Sequence, residues 1–273
     1  MALRIATVGT TADLCDAIGA AGPQDVASVL ALVGHESAVV RKAVAVQLPY
    51  LTDAEPSAEL LATAIRLTAD LDPQVRDWAC FTLGQQWQEV DTPELRRALV
   101  DRLDDIDLDT RHEALVGLSL RQDQRALPYV RAELSRADGS VRRLAMVAAG
   151  ALGDPTLHDL TLRHQSGWVD RAGQSVADCA RRLTDPTGPG DDVLDGVAAL
   201  LRLRAHGFNG DAQLVWWGCL TQMLDIAPHR ARQFYDAVRS RLDGDQRALA
   251  ELRTRSALAV DAGLLDAELL DVE

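Results

Sequence analysis

Five arginines, Arg41, Arg76, Arg111, Arg142 and Arg171, each open a stretch of small and apolar residues at helical spacing, and they stand 35, 35, 31 and 29 residues apart. A period of that length marks an array of helix pairs, in which each unit is too small to bury its own apolar face and must stack on its neighbours. In three copies an aspartate lies four residues before the arginine (Asp72, Asp107, Asp138) and an alanine three after it (Ala79, Ala114, Ala145). The copies therefore agree by position as well as by composition.

The clearest copy runs from Leu71 to Gly84. Asp72 can cap a helix whose first position is Pro73, and both residues favour a helix start. Val75, Ala79 and Leu83 follow at four-residue steps and form one inward face, with Ala79 small enough to admit a close neighbour. The third copy repeats this with Asp107, Arg111, Ala114 and Leu118, and the fourth with Asp138, Val141, Arg142, Ala145 and Ala149, closing at the turn Gly153-Asp154-Pro155. Before each copy lies another apolar-periodic segment: 25–33, 57–69, 92–103, 125–134 and 156–164. Each unit thus reads as a helix pair.

The pattern Asp-Pro-x-Val-Arg-x-x-Ala followed by a Leu-Gly stop, as in Asp72 to Gly84, resembles the HEAT repeat of the bacterial HEAT-like, armadillo-type α-solenoids. The resemblance spans about residues 24 to 183 and is strongest in the three central copies; Ser37 replaces the aspartate in the first copy and Gly167 in the fifth. It implies an all-α, right-handed α-solenoid of about five helix pairs, with the second helices lining a concave face on which such families generally bind partners.

Around the array the expected organisation is an N-terminal capping helix in 1–23, a linker at 184–192 rich in Pro, Gly and Asp, and a C-terminal helical module over 193–273. The module carries helical patterns at 193–206, 212–225, 228–242 and 246–262 without the Asp-Arg-Ala signature, and so reads as a cap on the array. Its tail, 261–273, has five acids and no base and is expected to fray.

With 47% hydrophobic but only 4% aromatic residues, the chain must fill its core with Ala, Leu and Val, which suits close helix stacking. The net charge is −13, spread as 15 basic against 22 acidic residues in 1–150 and 13 against 19 beyond. A field of that sign repels nucleic acid and anionic lipid and favours a basic partner. Cys15, Cys80, Cys179 and Cys219 are far apart in sequence and read as small buried hydrophobes in a reducing setting. The chain shows neither a secretion signal nor an 18-residue apolar run, so a cytoplasmic location without a membrane partner is expected.

The arginine series could hold phosphates or acidic peptides along one face. A ladder of Asp–Arg hydrogen bonds between repeats accounts better for both residue types. Arg111-His112-Glu113 resembles the His-Glu dipeptides of deoxyhypusine hydroxylase, a HEAT-like di-iron enzyme, but His35-Glu36 falls before its helix and the equivalent positions elsewhere are Asp77-Trp78 and Arg143-Leu144. That set cannot assemble a di-iron site. His158 and His164, with Asp154 and Asp159 near them, match no zinc or iron spacing. Trp78, Phe81, Trp87 and the pair Trp216-Trp217 supply the aromatics that HEAT-like alkylpurine DNA glycosylases use, yet the acidic turn of Asp101, Asp104, Asp105, Asp107 and Asp109 opposes a DNA backbone. Phycobilin lyases also use this repeat, and nothing in the residues selects for their reaction.

The sequence therefore points to a non-enzymatic protein–protein scaffold that holds a partner, such as a basic segment, with Trp78, Arg111, His112, Glu113, Arg143, Trp216 and Trp217 as candidate partner-binding residues. The alternative is a HEAT-fold enzyme of the glycosylase or bilin-lyase type. No residue is assigned a catalytic or metal-ligating role and no cofactor is called for.

Overall fold

The structure is a computed structural model and describes residues 10–137, 139–208 and 214–261. Among the described residues there are fifteen α-helices and no strand. The chain forms two compact units, Met1–Tyr129 and Val130–Glu273.

In the first unit α1 (Thr11–Gly19), α2 (Val26–Leu30), α3 (Ala38–Gln47), α4 (Ala58–Leu67), α5 (Pro73–Phe81), α6 (Pro93–Val100) and α7 (Leu108–Leu120) follow in order. The second helices stack in sequence order, α1 on α3, α3 on α5 and α5 on α7, while α4 packs on α5 and α6 on α7. Asp72 accepts from the amides of Gln74 and Val75, and Asp107 from that of Thr110, so the aspartates cap α5 and α7 as their position predicts. Ser37 makes no such bond at the start of α3. Val75, Ala79 and Leu83 are fully buried, as are Ala114 and Leu118. An aliphatic seam thus carries the stacking, and its size follows from a composition poor in aromatics.

The Leu-Gly pair at residues 83–84 does not end its helix. A π-helical segment, Thr82–Gln86, continues α5, and Gly84 lies inside it. The reason is packing: a Cβ on Gly84 would stand 3.1 Å from the Cα of Gly117, and one on Gly117 would stand 2.6 Å from the Cα of Gly84. Two backbones meet there, which only glycine on both sides permits. The carbonyls that the widened turn frees are taken by Arg121, whose guanidinium donates to Leu83, Gly84, Trp87, Val90 and Gly117. Burial lowers the pKa of Arg121 to about 10, so the side chain stays charged over the helix C-termini, where a cation is favoured.

The helix α8 (Leu127–Leu134) crosses the boundary between the units, and α9 (Arg143–Leu152), α10 (His158–Arg163), α11 (Arg171–Thr184), α12 (Asp191–Ala205), α13 (Leu214–Ile226), α14 (Ala231–Arg241) and α15 (Gln246–Asp261) follow. Here the register of the arginines departs from expectation. Arg142 is the N-cap residue of α9, Arg143 its first position, and Arg171 the first residue of α11, capped by Asp170 rather than by a residue four places earlier. The expected cap Asp138 lies outside the described residues, as does the tail beyond 261. At 152–153 the Leu-Gly pair does stop its helix, because Gly153 adopts a left-handed conformation (φ 58°) and its amide donates back to Ala149. Within this unit α11 packs on α9, α10 and α13, and α12 packs on α13, α14 and α15.

Candidate functional site

The arginines of the first two copies are structural. Arg41 forms a two-point ion pair with Asp70 (2.7 and 2.8 Å), and Arg76 does the same with Asp105 (2.9 and 2.7 Å). Each arginine also donates to two carbonyls just ahead of its own helix, His35 and Glu36 for Arg41, Asp70 and Leu71 for Arg76. The ladder between repeats is therefore present, but its acceptors are Asp70 and Asp105, two residues before the capping aspartates. Each acceptor also takes the amide of that cap, Asp72 or Asp107. In each of these Asp-x-Asp stretches the second aspartate caps the helix and the first takes the arginine of the preceding repeat. The pKa of Asp70 is lowered chiefly by Arg41; burial alone would raise that of Asp105, and Arg76, the Asp107 amide and Arg102 outweigh it.

On the α5–α7 contact a second set of side chains gathers. Gln85 donates to the carboxylate of Glu113, and Lys42 on α3 donates to Gln74 on α5. Asp77 is raised to about 6 by burial, then by the charges of Asp109 and Asp107, against the opposing charge of Lys42. Glu113 is raised to about 7 by burial, with Asp77 and Asp109 adding to it and the Gln85 bond opposing. Carboxylates from two stacked helices thus share one site and resist full ionisation. Trp78, next to Asp77, meets Phe81 edge-on at 5.6 Å and stays partly exposed.

Of the residues singled out from sequence, Glu113 falls at this α5–α7 site, and Trp78 follows Asp77 on α5. Arg111 is half-buried on α7, and His112 is 1% exposed with Nδ1 against the Leu108 carbonyl, so it faces the interior of the unit. Arg143 is exposed at the start of α9. Trp216 and the half-buried Trp217 lie on α13, where Trp216 rests on Gly196 of α12: a Cβ there would stand 2.4 Å from its ring. Trp216 also lines a cleft of about 510 Å³ between α11 and α13, together with Arg171, Asp178, Cys179, Arg182 and Cys219. His158 and His164 serve packing, His164 against the Leu134 carbonyl (2.8 Å) and His158 beside the Thr184 hydroxyl (3.4 Å). Asp77, Gln85 and the two cleft cysteines were missed as site residues, because their neighbours come from other helices. Among the described residues no group of three or more His, Cys, Asp or Glu could hold a metal ion, and no helix is long and apolar enough to cross a membrane.

Residues 59–153 match the HEAT repeat family. Protein YibA of Escherichia coli, in strain K12 and in O157:H7, is 31% identical over 155 residues, which are 57% of this chain and 52% of the relative. The chain thus spans about half the length of the curated relatives it matches. The X-ray structure of the Escherichia coli YibA protein resembles this one with a TM-score of 0.50 at 23% identity, covering 65% of each chain, a likeness of fold alone. Together with the stacked, Asp-capped helices α5 and α7, the match means that residues 59–153 of the chain carry HEAT-type repeats.

Proposed function

We propose that this chain is a non-enzymatic scaffold whose row of second helices in the first unit, α3, α5 and α7, receives a basic segment of another protein. The observation that supports this reading is the set of carboxylates at the α5–α7 contact. Asp77 is held at about 6 by burial and the charges of Asp109 and Asp107, and Glu113 at about 7 by burial and the charges of Asp77 and Asp109, a repulsion that an arriving Lys or Arg relieves. Trp78, next to Asp77 on α5, is partly exposed, and a tryptophan ring is a good partner for a guanidinium. The face is also the one on which the HEAT resemblance places partners, and the net charge of −13 steers a basic segment towards the molecule.

A labelled Arg/Lys-rich peptide and an acidic peptide of equal length, titrated by fluorescence anisotropy, test the reading. The basic peptide is expected to bind, to bind several-fold more weakly when salt rises from 50 to 200 mM, which shortens the Debye length from about 14 to about 7 Å, and to lose most of its affinity in Asp77→Asn/Glu113→Gln. Cation binding lowers both carboxyl pKa values, so affinity should also rise as pH goes from about 5.5 to about 7.5. Equal binding of both peptides, or undiminished binding by the double variant, rejects the proposal.

A further inference from the structure

In the second unit, α11 and α13 are joined by two adjacent rungs. Ser175 on α11 hydrogen-bonds to Gln222 on α13, and one turn along α11 Cys179 lines the same cleft as Cys219 of α13, close enough for the two sulfurs to interact. Both cysteines line the α11–α13 cleft, but not equally: Cys179 is 1% exposed, whereas Cys219 is half-buried and open to the cleft. Arg182, also in the cleft wall, carries its charge close to Cys219, partly offset by Asp178 and Asp192, with which it pairs. Neither thiol is engaged in a disulfide.

We propose that Cys219 and Cys179 form a peroxide-responsive thiol pair, in which Cys219 is the attacking sulfur and Cys179 the resolving one. The Cys219 thiolate attacks one oxygen of hydrogen peroxide; the O–O bond breaks, the sulfur becomes a sulfenic acid and hydroxide leaves. The Cys179 sulfur then attacks the sulfenic sulfur, the S–O bond breaks, and the thiol proton departs with the hydroxyl as water. Two electrons pass from the two thiols to the peroxide, which ends as water, and α11 becomes covalently tied to α13. The asymmetry of the pair assigns the roles. Cys219 is the sulfur that a small oxidant can reach and stands near the Arg182 charge, whereas Cys179 is buried behind it and is reached only by a neighbouring sulfur.

The full-length chain, treated with one equivalent of hydrogen peroxide near neutral pH and digested without reductant, gives the test by mass spectrometry. A Cys179–Cys219 linked peptide is expected, reversed by dithiothreitol. In Cys179→Ser the sulfenic acid should persist at Cys219 and be captured by dimedone, while Cys219→Ser should leave Cys179 reduced. Cys15, half-buried in the first unit, is an internal standard that needs no variant: iodoacetamide should modify Cys219 about tenfold faster. Alkylation of Cys219 no faster than Cys15, or peroxide oxidation that yields only chain-to-chain links or sulfinic acid, overturns the proposal.

Discussion

Arg76 touches both its own repeat and the next, and its surroundings decide what its loss would do. Its guanidinium meets Asp105 at two points, with the side chains only 10% and 3% exposed, and it also ties down two carbonyls. Arg76→Ala strands a buried carboxylate and is expected to cost about 3–5 kcal/mol, whereas replacing both partners together by Met and Leu should cost much less. Urea denaturation of the single and double variants separates the outcomes, and equal losses would show that the pair, not the orphaned charge, carries the effect. Glu113 acts in the opposite sense. Its folded pKa of about 7 exceeds the ordinary value of 4.5, so the folded chain holds this proton more tightly than the unfolded one. The resulting stability is complete below pH ~4.5 and is lost as pH rises through about 7. Glu113→Gln, which retains a partner for Gln85, should therefore be closer to wild-type stability at pH 5 than at pH 7.5, where it becomes the more stable protein. Chemical denaturation at the two pH values checks the sign. Both effects rest on neighbours some thirty residues away in sequence, which is why the aspartates were legible as caps but Asp70 and Asp105 were not legible as acceptors.

At the scale of the element, one residue pair governs how closely α5 and α7 approach. Gly117 sits within α7, where alanine would favour the helix by about 1 kcal/mol. Its Cβ would nevertheless fall 2.6 Å from the Gly84 backbone and 2.9 Å from Leu99 Cδ1. Gly117→Ala is thus expected to destabilise by about 1–3 kcal/mol against its propensity, with a lower Tm by circular dichroism; a higher Tm would mean that the helices part easily. The helix pattern itself could be read from the periodicity of small and apolar residues, and the second-helix starts at Pro73 and Leu108 follow their aspartate caps. The π-helical continuation through Gly84 could not. It depends on a facing glycine and on Arg121 collecting the released carbonyls, and neither relation has a local signature. The later arginines stand at the mouths of their helices: Arg142 is the N-cap of α9, and Arg171, with Gly167 in the place of the aspartate, follows the Asp170 cap of α11.

For the molecule as a whole, the excess of acid acts through where it is placed. Much of the crowded turn before α7 is already engaged: Asp105 by Arg76 and Arg102, Asp107 as a cap, and Asp104 by the Tyr129 hydroxyl. The carboxylates at the α5–α7 contact are the ones left in mutual conflict, so a Debye-screened response to salt should be lost in Asp77→Asn/Glu113→Gln while substitutions in the turn change stability first. Peptide titrations of both variants at two salt concentrations distinguish them. Sequence alone determined the all-helical repeat, because a 3.6-residue pattern, capping aspartates and a recurring arginine are short-range signals that need no tertiary partner. Only the folded arrangement decided which aspartate Arg41 and Arg76 take, which glycines allow two backbones to touch, and that Cys179 and Cys219 line one cleft. Each of those depends on atoms that come together only when successive helices stack, and distance along the chain carries no record of it.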